Sequence, residues 1–418
     1  MEQEKYKRIN IKLLPTKEQE VLMWKSVNNV RFIKNYFIQR CWEERDKGTR
    51  IIPSLQSKFK KELTAMTKEK GYEWLKETDR HSKVTAIKEV INGFVRYSKN
   101  ITGRPKFRKR GLVPNTFSVR NDKMPSGLCR FRREGNYFKV SVIGYIKYSK
   151  NSYNNFKYIF DTIEKEDKFY SPVIRHDGKY WYVSLLYKDN LVNKQEPRKL
   201  TDEVIGIDLG LRTLMVCSDG KKVENINLSR KVKKLEQRER RLQKQVFRKY
   251  DMNKKGNKYV KTKNIIKLER KIRHIRRKLK NIRNTHIHTQ TKLIVEKLPQ
   301  EIIIEDLHVK EMLKDKWQRH EIQYAKFFTI RRTLEYKCKD RGILFTVADR
   351  WYPSSQICSC CGKRVEGKQR RSIKSGYHTF KCSHCGTKLD RDLNASLNLK
   401  NYRYSNWYQD NIINQCNQ

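Results

Sequence analysis

VIGIDLGLRTLMVCSDG, residues 204–220, sets a single acid, Asp208, inside an otherwise apolar run. An apolar strand ends at Asp208, Gly210 lets the chain turn, a second apolar strand follows, and Asp219-Gly220 closes it. The pattern predicts a β-hairpin. Asp208 could be a turn aspartate. Ile205, Ile207, Leu209 and Leu211 around it weigh against that, because a purely structural strand would not put a carboxylate there.

Two further strings carry acids in comparable positions. In EIIIEDLHVK (301–310), Ile302, Ile303 and Ile304 form a continuous apolar run, the mark of a strand covered on both faces. It delivers Glu305 and Asp306 to its end, where open α/β sheets bind their ligands. In DRDLNASLNLK (390–400), Asp390 and Asp392 precede a helix with Leu393, Leu397 and Leu399. Alone, an aspartate there is only a cap. Together, two strand-borne acids and one helix-borne acid can clamp hard divalent cations, Mg2+ above all, through oxygen. Two such ions about 4 Å apart serve phosphodiester hydrolysis. From residue 201 onward strands and helices alternate, which predicts an α/β domain.

Ten cysteines are present, five of them within residues 358–385. Cys358-x2-Cys361, then twenty residues, then Cys382-x2-Cys385 is the spacing of a structural four-cysteine zinc site. Gly362 and Gly386 follow the two pairs directly. Cys360 is then a spare thiol, and His384 is a weaker ligand than four thiolates. The clustering argues against a secreted disulfide scaffold and for a reducing, cytoplasmic setting.

The remaining chain is basic. In 418 residues, 96 Lys and Arg face 45 Asp and Glu, a formal charge of +51. Such a charge calls for a polyanion, and nucleic acid leads. No run of 18 apolar residues suggests a membrane span, and the charged MEQEKYKRINIKLLP opening does not read as a signal peptide. Residues 5–13 predict a strand. Thr16 caps a helix with Val21, Trp24, Val27, Val30, Ile33 and Phe37 on one face, and a second helix spans about Ser82 to Lys99. TGRPKFRKRG (102–111) is a basic connector. Residues 113–200 carry short aromatic strands, including YFKVSVIGYI and KYWYVSLLY, with a hairpin turn at His176–Lys179, and read as a small β-barrel. Residues 230–284 hold 24 basic and 4 acidic residues in two expected helices joined around Asp251–Asn257. The Asn-rich tail from residue 403 is expected to be disordered.

VIGIDLGL, IIIEDL and DRDLNASLNL resemble, in order and character, the three RuvC motifs of the TnpB family of IS200/IS605-type transposons and the related compact type V CRISPR effectors. WYPSSQICSCCG, FKCSHCG and DRD resemble that family's zinc ribbon, inserted between the second and third motifs. The opening IKLLPTKEQ and NVRFIKNY strings, and the connector, extend the likeness to nearly the whole chain. The resemblance implies a multidomain α/β protein with an RNase H-like (RuvC) domain carrying the zinc ribbon, preceded by a small β-barrel wedge with an inserted helical recognition domain. Its expected bounds are 1–14 and 113–200 for the wedge, 15–112 for recognition, 201–350 and 390–402 for RuvC, and 351–389 for the ribbon.

The implied activity is Mg2+-dependent, RNA-guided cleavage of double-stranded DNA beside a short protein-read motif. Guide RNA and target DNA are the implied partners. By motif position the magnesium ligands fall on Asp208, Glu305 and Asp392, with Asp306 and Asp390 ranked second. Ser396 stands where the family usually has Ala. Nucleic-acid contacts are expected from Arg80, Lys83, Arg104, Lys106 and Arg108, although Val84 stands about where a Gln is common. A catalytically silent guided regulator should lack one or more of the acids. An RNA-independent RNase H-fold transposase should cut without RNA.

Overall fold

The computed structural model describes residues 6–109, 115–122, 130–163, 170–188, 199–256, 258–365, 379–405 and 408–409. The chain divides into two compact units, residues 1–194 and 195–418.

In the first unit, strand β1 (Tyr6–Leu14) leads into helix α1 (Lys17–Asp46). Thr16 and Gln19 exchange side-chain and backbone hydrogen bonds at its start, a complete capping box that satisfies two otherwise orphan amides. Helices α2 (Leu55–Met66) and α3 (Arg80–Ser98) follow. α3 buries Ile87, Val90, Ile91 and Phe94 in a core shared with Ile33 and Phe37 of α1 and Phe59 of α2. Six more strands are β2 (Asn115–Ser118), β3 (Arg132–Glu134), β4 (Tyr137–Val140), β5 (Gly144–Tyr148), β6 (Tyr170–His176) and β7 (Trp181–Lys188). Two short helices, α4 (Lys150–Asn154) and α5 (Lys157–Ile163), lie between β5 and β6, where the residue pattern predicts only strands.

The sheet order is β2-β6-β7-β1-β5-β4-β3, all described pairs antiparallel. β1, first in sequence, therefore sits in the middle, where Ile9, Ile11 and Leu13 alternate into the core. Among the described residues β2 and β3 end the order without pairing to each other; residues 110–114 and 123–129 lie outside the described set. The β6–β7 hairpin turns through Asp177-Gly178, with Gly178 at φ 99°.

The second unit is built on a five-stranded sheet, order β10-β9-β8-β13-β14. Strands β8 (Thr201–Leu209), β9 (Thr213–Cys217) and β10 (Lys222–Glu224) form an antiparallel meander; β13 (Pro299–Ile304) and β14 (Leu344–Val347) add in parallel. Ile302 and Ile304 of β13 enter one core, and Ile303 enters another. The apolar run is thus covered on both faces, as parallel strands are.

Between β10 and β13 rise helix α6 (Arg230–Met252), a two-residue hairpin of β11 (Lys254–Lys255) and β12 (Lys258–Tyr259), and helix α7 (Lys263–Val295). The expected end at residue 284 falls short. α7 continues because Ile287, Ile294 and Val295 bury against the sheet. Helices α8 (Val309–Met312), α9 (Arg319–Ala325) and α10 (Phe327–Arg341) precede β14. Strands β15 (Thr379–Lys381) and β16 (Lys388–Asp390) pair beside the cysteine cluster, and α11 (Arg391–Lys400) closes the unit. The chain beyond is not all loose, contrary to the expectation of disorder from residue 403. Tyr402–Tyr404 forms a 3-10 turn, Arg403 pairs with Glu301, and Tyr408 packs on Tyr402 at 5.1 Å. Residues 410–418 lie outside the described set.

Candidate active site and metal centre

β8 and β13 run parallel with Ile207 opposite Ile304, so Asp208 and Glu305, one residue further on, leave the sheet side by side. The Leu209 amide donates to Glu305 Oε1 at 3.2 Å. α11 brings Asp392 to the same place because it packs directly onto β8. A Cβ on Gly206 would lie 2.1 Å from the Ser396 carbonyl oxygen and 2.4 Å from the Lys400 amide nitrogen, so only glycine permits the approach. At the next turn, a Cβ on Gly210 would lie 4.0 Å from Asp392 Oδ2.

The three acids feel one another. Burial, then the charges of Glu305 and Asp392, push Asp208 well above the usual carboxylate range. Burial also lifts Glu305 to about 7, against the Leu209 amide and with help from Asp392. Asp208 and Glu305 keep a part-exposed surface although protein atoms ring their carboxyl groups. Arg391, paired with Asp392 at 2.9 Å, is the basic side chain that offsets charge at Asp208 and Glu305.

The second-ranked acids have other partners. Asp390 caps α11, accepting from the amides of Asp392 and Leu393, and pairs with Lys222 at 2.8 Å. Burial opposes its charge, but Lys222 and the helix amides outweigh that and hold it below the usual range. Asp306, two residues past the end of β13, is held between Arg331 (2.7 Å) and Arg350 (2.6 Å).

The four cysteines converge. Sγ atoms of Cys358, Cys361, Cys382 and Cys385 lie within 4.8 Å of one another, with Cys358–Cys385 at 3.6 Å and Cys361–Cys382 at 3.7 Å. Zn–S bonds of about 2.3 Å in a tetrahedron require sulfur separations of about 3.8 Å, so the cluster fits one zinc ion. The two knuckles repeat one geometry. Gly362 and Gly386, at φ 72° and 73°, donate to the carbonyls of Cys358 and Cys382 at 2.9 and 3.1 Å. Cys360 is exposed and outside the cluster, as is His384.

Two residues passed over in the sequence join this centre to the acids. Asn394 and Asn398, one turn apart on α11 and buried, hold the segment before the first knuckle. Asn394 accepts from the Ser359 amide (2.9 Å) and donates to the Ile357 carbonyl (2.7 Å); Asn398 donates to the Ser354 and Ile357 carbonyls, each 2.7 Å. Amides at apolar positions of a short helix were the available signal.

The expected nucleic-acid residues divide. Arg80, Arg104, Lys106 and Arg108 are exposed. Arg104 lies over the Trp42 ring at 4.5 Å, and the Arg108 backbone is pinned by Asn35. Lys83 does not belong with them. It is 3% exposed, and its ammonium donates to the carbonyls of Leu75 and Thr78, the latter at 2.9 Å, so no nucleic acid can reach it.

Comparison with known proteins gives concordant matches. Residues 186–316 match a family model described as "Probable transposase" of the OrfB/IS605 type, residues 327–399 the Cas12f1-like TNB domain, and residues 1–49 a helix-turn-helix domain of the OrfB/IS605 type. The described part of that last stretch holds a strand, Tyr6–Leu14, and one unbroken helix, Lys17–Asp46. The chain is 32% identical over 228 residues to a "Putative RNA-guided DNA endonuclease" of Streptomyces pristinaespiralis, a match over 54% of this chain and only about half (51%) of that protein. It is 25% identical over 404 residues to "Putative RNA-guided DNA endonuclease InsQ" of Escherichia coli K12, over 93% of this chain and 90% of that one. Its fold is similar to that of Cas12f1 seen by cryo-EM with sgRNA and target DNA: TM-score 0.51, 13% identity, 95% of this chain and 99% of the other.

Proposed function

Because this chain belongs to the family that unites the TnpB proteins of IS200/IS605-type transposons with the compact type V effectors, we propose that it is an RNA-guided DNA endonuclease that cuts double-stranded DNA beside a short protein-read motif. Both strands would be cut in turn at one RuvC-like site. The observation that carries this reading is the convergence of Asp208, Glu305 and Asp392, from two parallel strands and a helix, in a chain of net charge +51.

Two of those carboxyls are raised by burial and mutual repulsion, which is what a cation site looks like to its own ligands. Asp208, Glu305 and Asp392 would hold the divalent ions. Magnesium, when bound, supplies positive charge for the phosphodiester's developing negative charge and acidifies water. The chain's own part is to aim: the Leu209 amide fixes Glu305, the helix cap at Asp390 fixes the first turn of α11, and Gly206 sets that helix against the sheet. The four-cysteine zinc site, joined to α11 through Asn394 and Asn398, braces the same helix from the other end of the segment.

The wedge, recognition, RuvC and ribbon bounds given above are our reading of how the chain divides its work. Guide RNA and DNA would be held largely through backbone phosphates by the basic helices α6 and α7 and the exposed arginines.

The test is cleavage by protein loaded with its co-purifying RNA. Asp208→Ala and Glu305→Gln should bind a guide-matched duplex as tightly as wild type and leave it intact. Full cleavage by either variant removes that residue from the site.

A further inference from the structure

Next to the acids stands a group of residues with no role in that reading. Val347 of β14 lies opposite Ile304 of β13, and the Ala348 amide donates to the Ile304 carbonyl at 2.8 Å. The chain leaving β14 therefore starts abreast of Glu305. Its next four residues are braced almost one by one. The Asp349 amide donates to the Tyr402 hydroxyl (3.0 Å). Arg350 donates twice to Asp306 Oδ2 (3.1 and 2.6 Å). Tyr352 is buried, with its hydroxyl on the Asn398 carbonyl (3.1 Å) and its ring edge-on to Tyr402 at 4.9 Å. Trp351 also faces out, but with no side-chain hydrogen bond of its own among the described residues to hold it there: its amide is tied to Asp349 Oδ1 at 2.7 Å, and the residue is 76% exposed.

A rigid turn that spends its neighbours' hydrogen bonds to hold an indole in water is poor packing and good presentation. Beside it, Asp306 holds two guanidiniums, of Arg331 and Arg350, whose side chains remain 42% and 44% exposed. One carboxylate between two arginines leaves a net positive charge and several free N–H donors in fixed orientation, which is the equipment for a phosphate. Arginine and an exposed aromatic together are how proteins seat single-stranded nucleic acid, by phosphate contact and base stacking.

We propose that Arg331, Arg350 and Trp351 form a seat for the DNA strand entering the acid centre, the arginines gripping a phosphate beside the scissile one and Trp351 stacking on a neighbouring base. Asp306 is then the positioning residue for the arginines rather than a metal ligand. The inference rests on the nuclease reading for its purpose, but its test can be separated from it.

Two measurements do so. The first is photocross-linking of a short oligothymidine carrying one 5-iodouracil to the protein without guide or magnesium, with the adduct mapped by peptide mass; it should fall on Trp351 and be lost in Arg331→Gln/Arg350→Gln. The second is single-turnover guided cleavage. Trp351→Ala should slow it about tenfold, within the about 5- to 150-fold range that stacking losses convert to, with guided binding and melting temperature unchanged. Trp351→Phe should restore most of the rate. Cross-links elsewhere, or Trp351→Ala cutting at the wild-type rate, would overturn the seat. A Trp351 cross-link from a wild-type protein that cuts no guide-matched DNA would keep the seat and remove the nuclease.

Discussion

Gly206→Ala is the smallest change that should disable the site without touching an acid. The added methyl carbon would sit 2.1 Å from the Ser396 carbonyl oxygen and 2.4 Å from the Lys400 amide nitrogen. Both are backbone atoms, so no side chain can swing aside. Ordinary contact needs about 3.4 Å or more, so α11 must retreat by about 1 Å, in a core with no spare room. Overpacking of this kind costs about 1–3 kcal/mol, or a fall of several degrees in Tm for a unit of this size. The kinetic loss should be larger, since α11 carries Asp392 and a displacement of about 1 Å at a reacting site costs on the order of 100-fold. The assay is single-turnover cleavage of a guide-matched duplex beside thermal unfolding. Cleavage within threefold of wild type at lowered Tm would show that α11 packing does not set Asp392. Unchanged Tm as well would refute the close contact itself.

Three further outcomes follow from the same geometry. A carboxyl raised on folding holds its proton more tightly in the folded chain, so the stability it leaves intact below about pH 4 is lost as pH rises toward 7, where Glu305 lies. In magnesium-free buffer Asp208→Asn should therefore melt higher than wild type at pH 8, with the gap closing near pH 4; an equal gap at both pH values would contradict the repulsion. Cys385→Ser should reduce bound zinc from one per chain to near none and expose residues 358–365 and 379–390 to protease, whereas Cys360→Ser should keep zinc at one, by elemental analysis. Lys83→Met leaves the carbonyls of Leu75 and Thr78 without a donor, costing about 1–3 kcal/mol by denaturant unfolding, and should not weaken nucleic-acid binding at a temperature where both proteins are folded.

What could be read in the sequence were features with one dominant physical cause. An Asp among isoleucines costs too much to keep without a partner, and paired CxxC knuckles are built to surround a metal; both lead to places where side chains meet. The helix start at Thr16 was equally plain, because a capping box is local. Choosing between neighbouring acids was harder. Glu305 and Asp306 are adjacent acids past the same strand end, and what separates them is Arg331 and Arg350, 25 and 44 residues on from Asp306. Lys83 misled because a lysine on an amphipathic helix normally snorkels to water; here the turn at Leu75–Thr78 offers its carbonyls instead. α7 outran its expected end since its last turns become apolar only on the side that meets the sheet. Gly206 and the Asn394–Asn398 staple were invisible for a related reason. Gly206 is explained by a helix nearly two hundred residues away, and the two asparagines by backbone groups 35 to 44 residues before them; no local pattern announces either approach.

The most direct test of the account is reprogramming. The protein is purified with its RNA, the RNA's variable segment is replaced by a chosen sequence, and a duplex carrying the matching site is offered with magnesium. The account predicts a double-strand cut that moves with the new guide and disappears in Asp208→Ala. Cutting that ignores the guide, or proceeds as well after the RNA is removed, would contradict it.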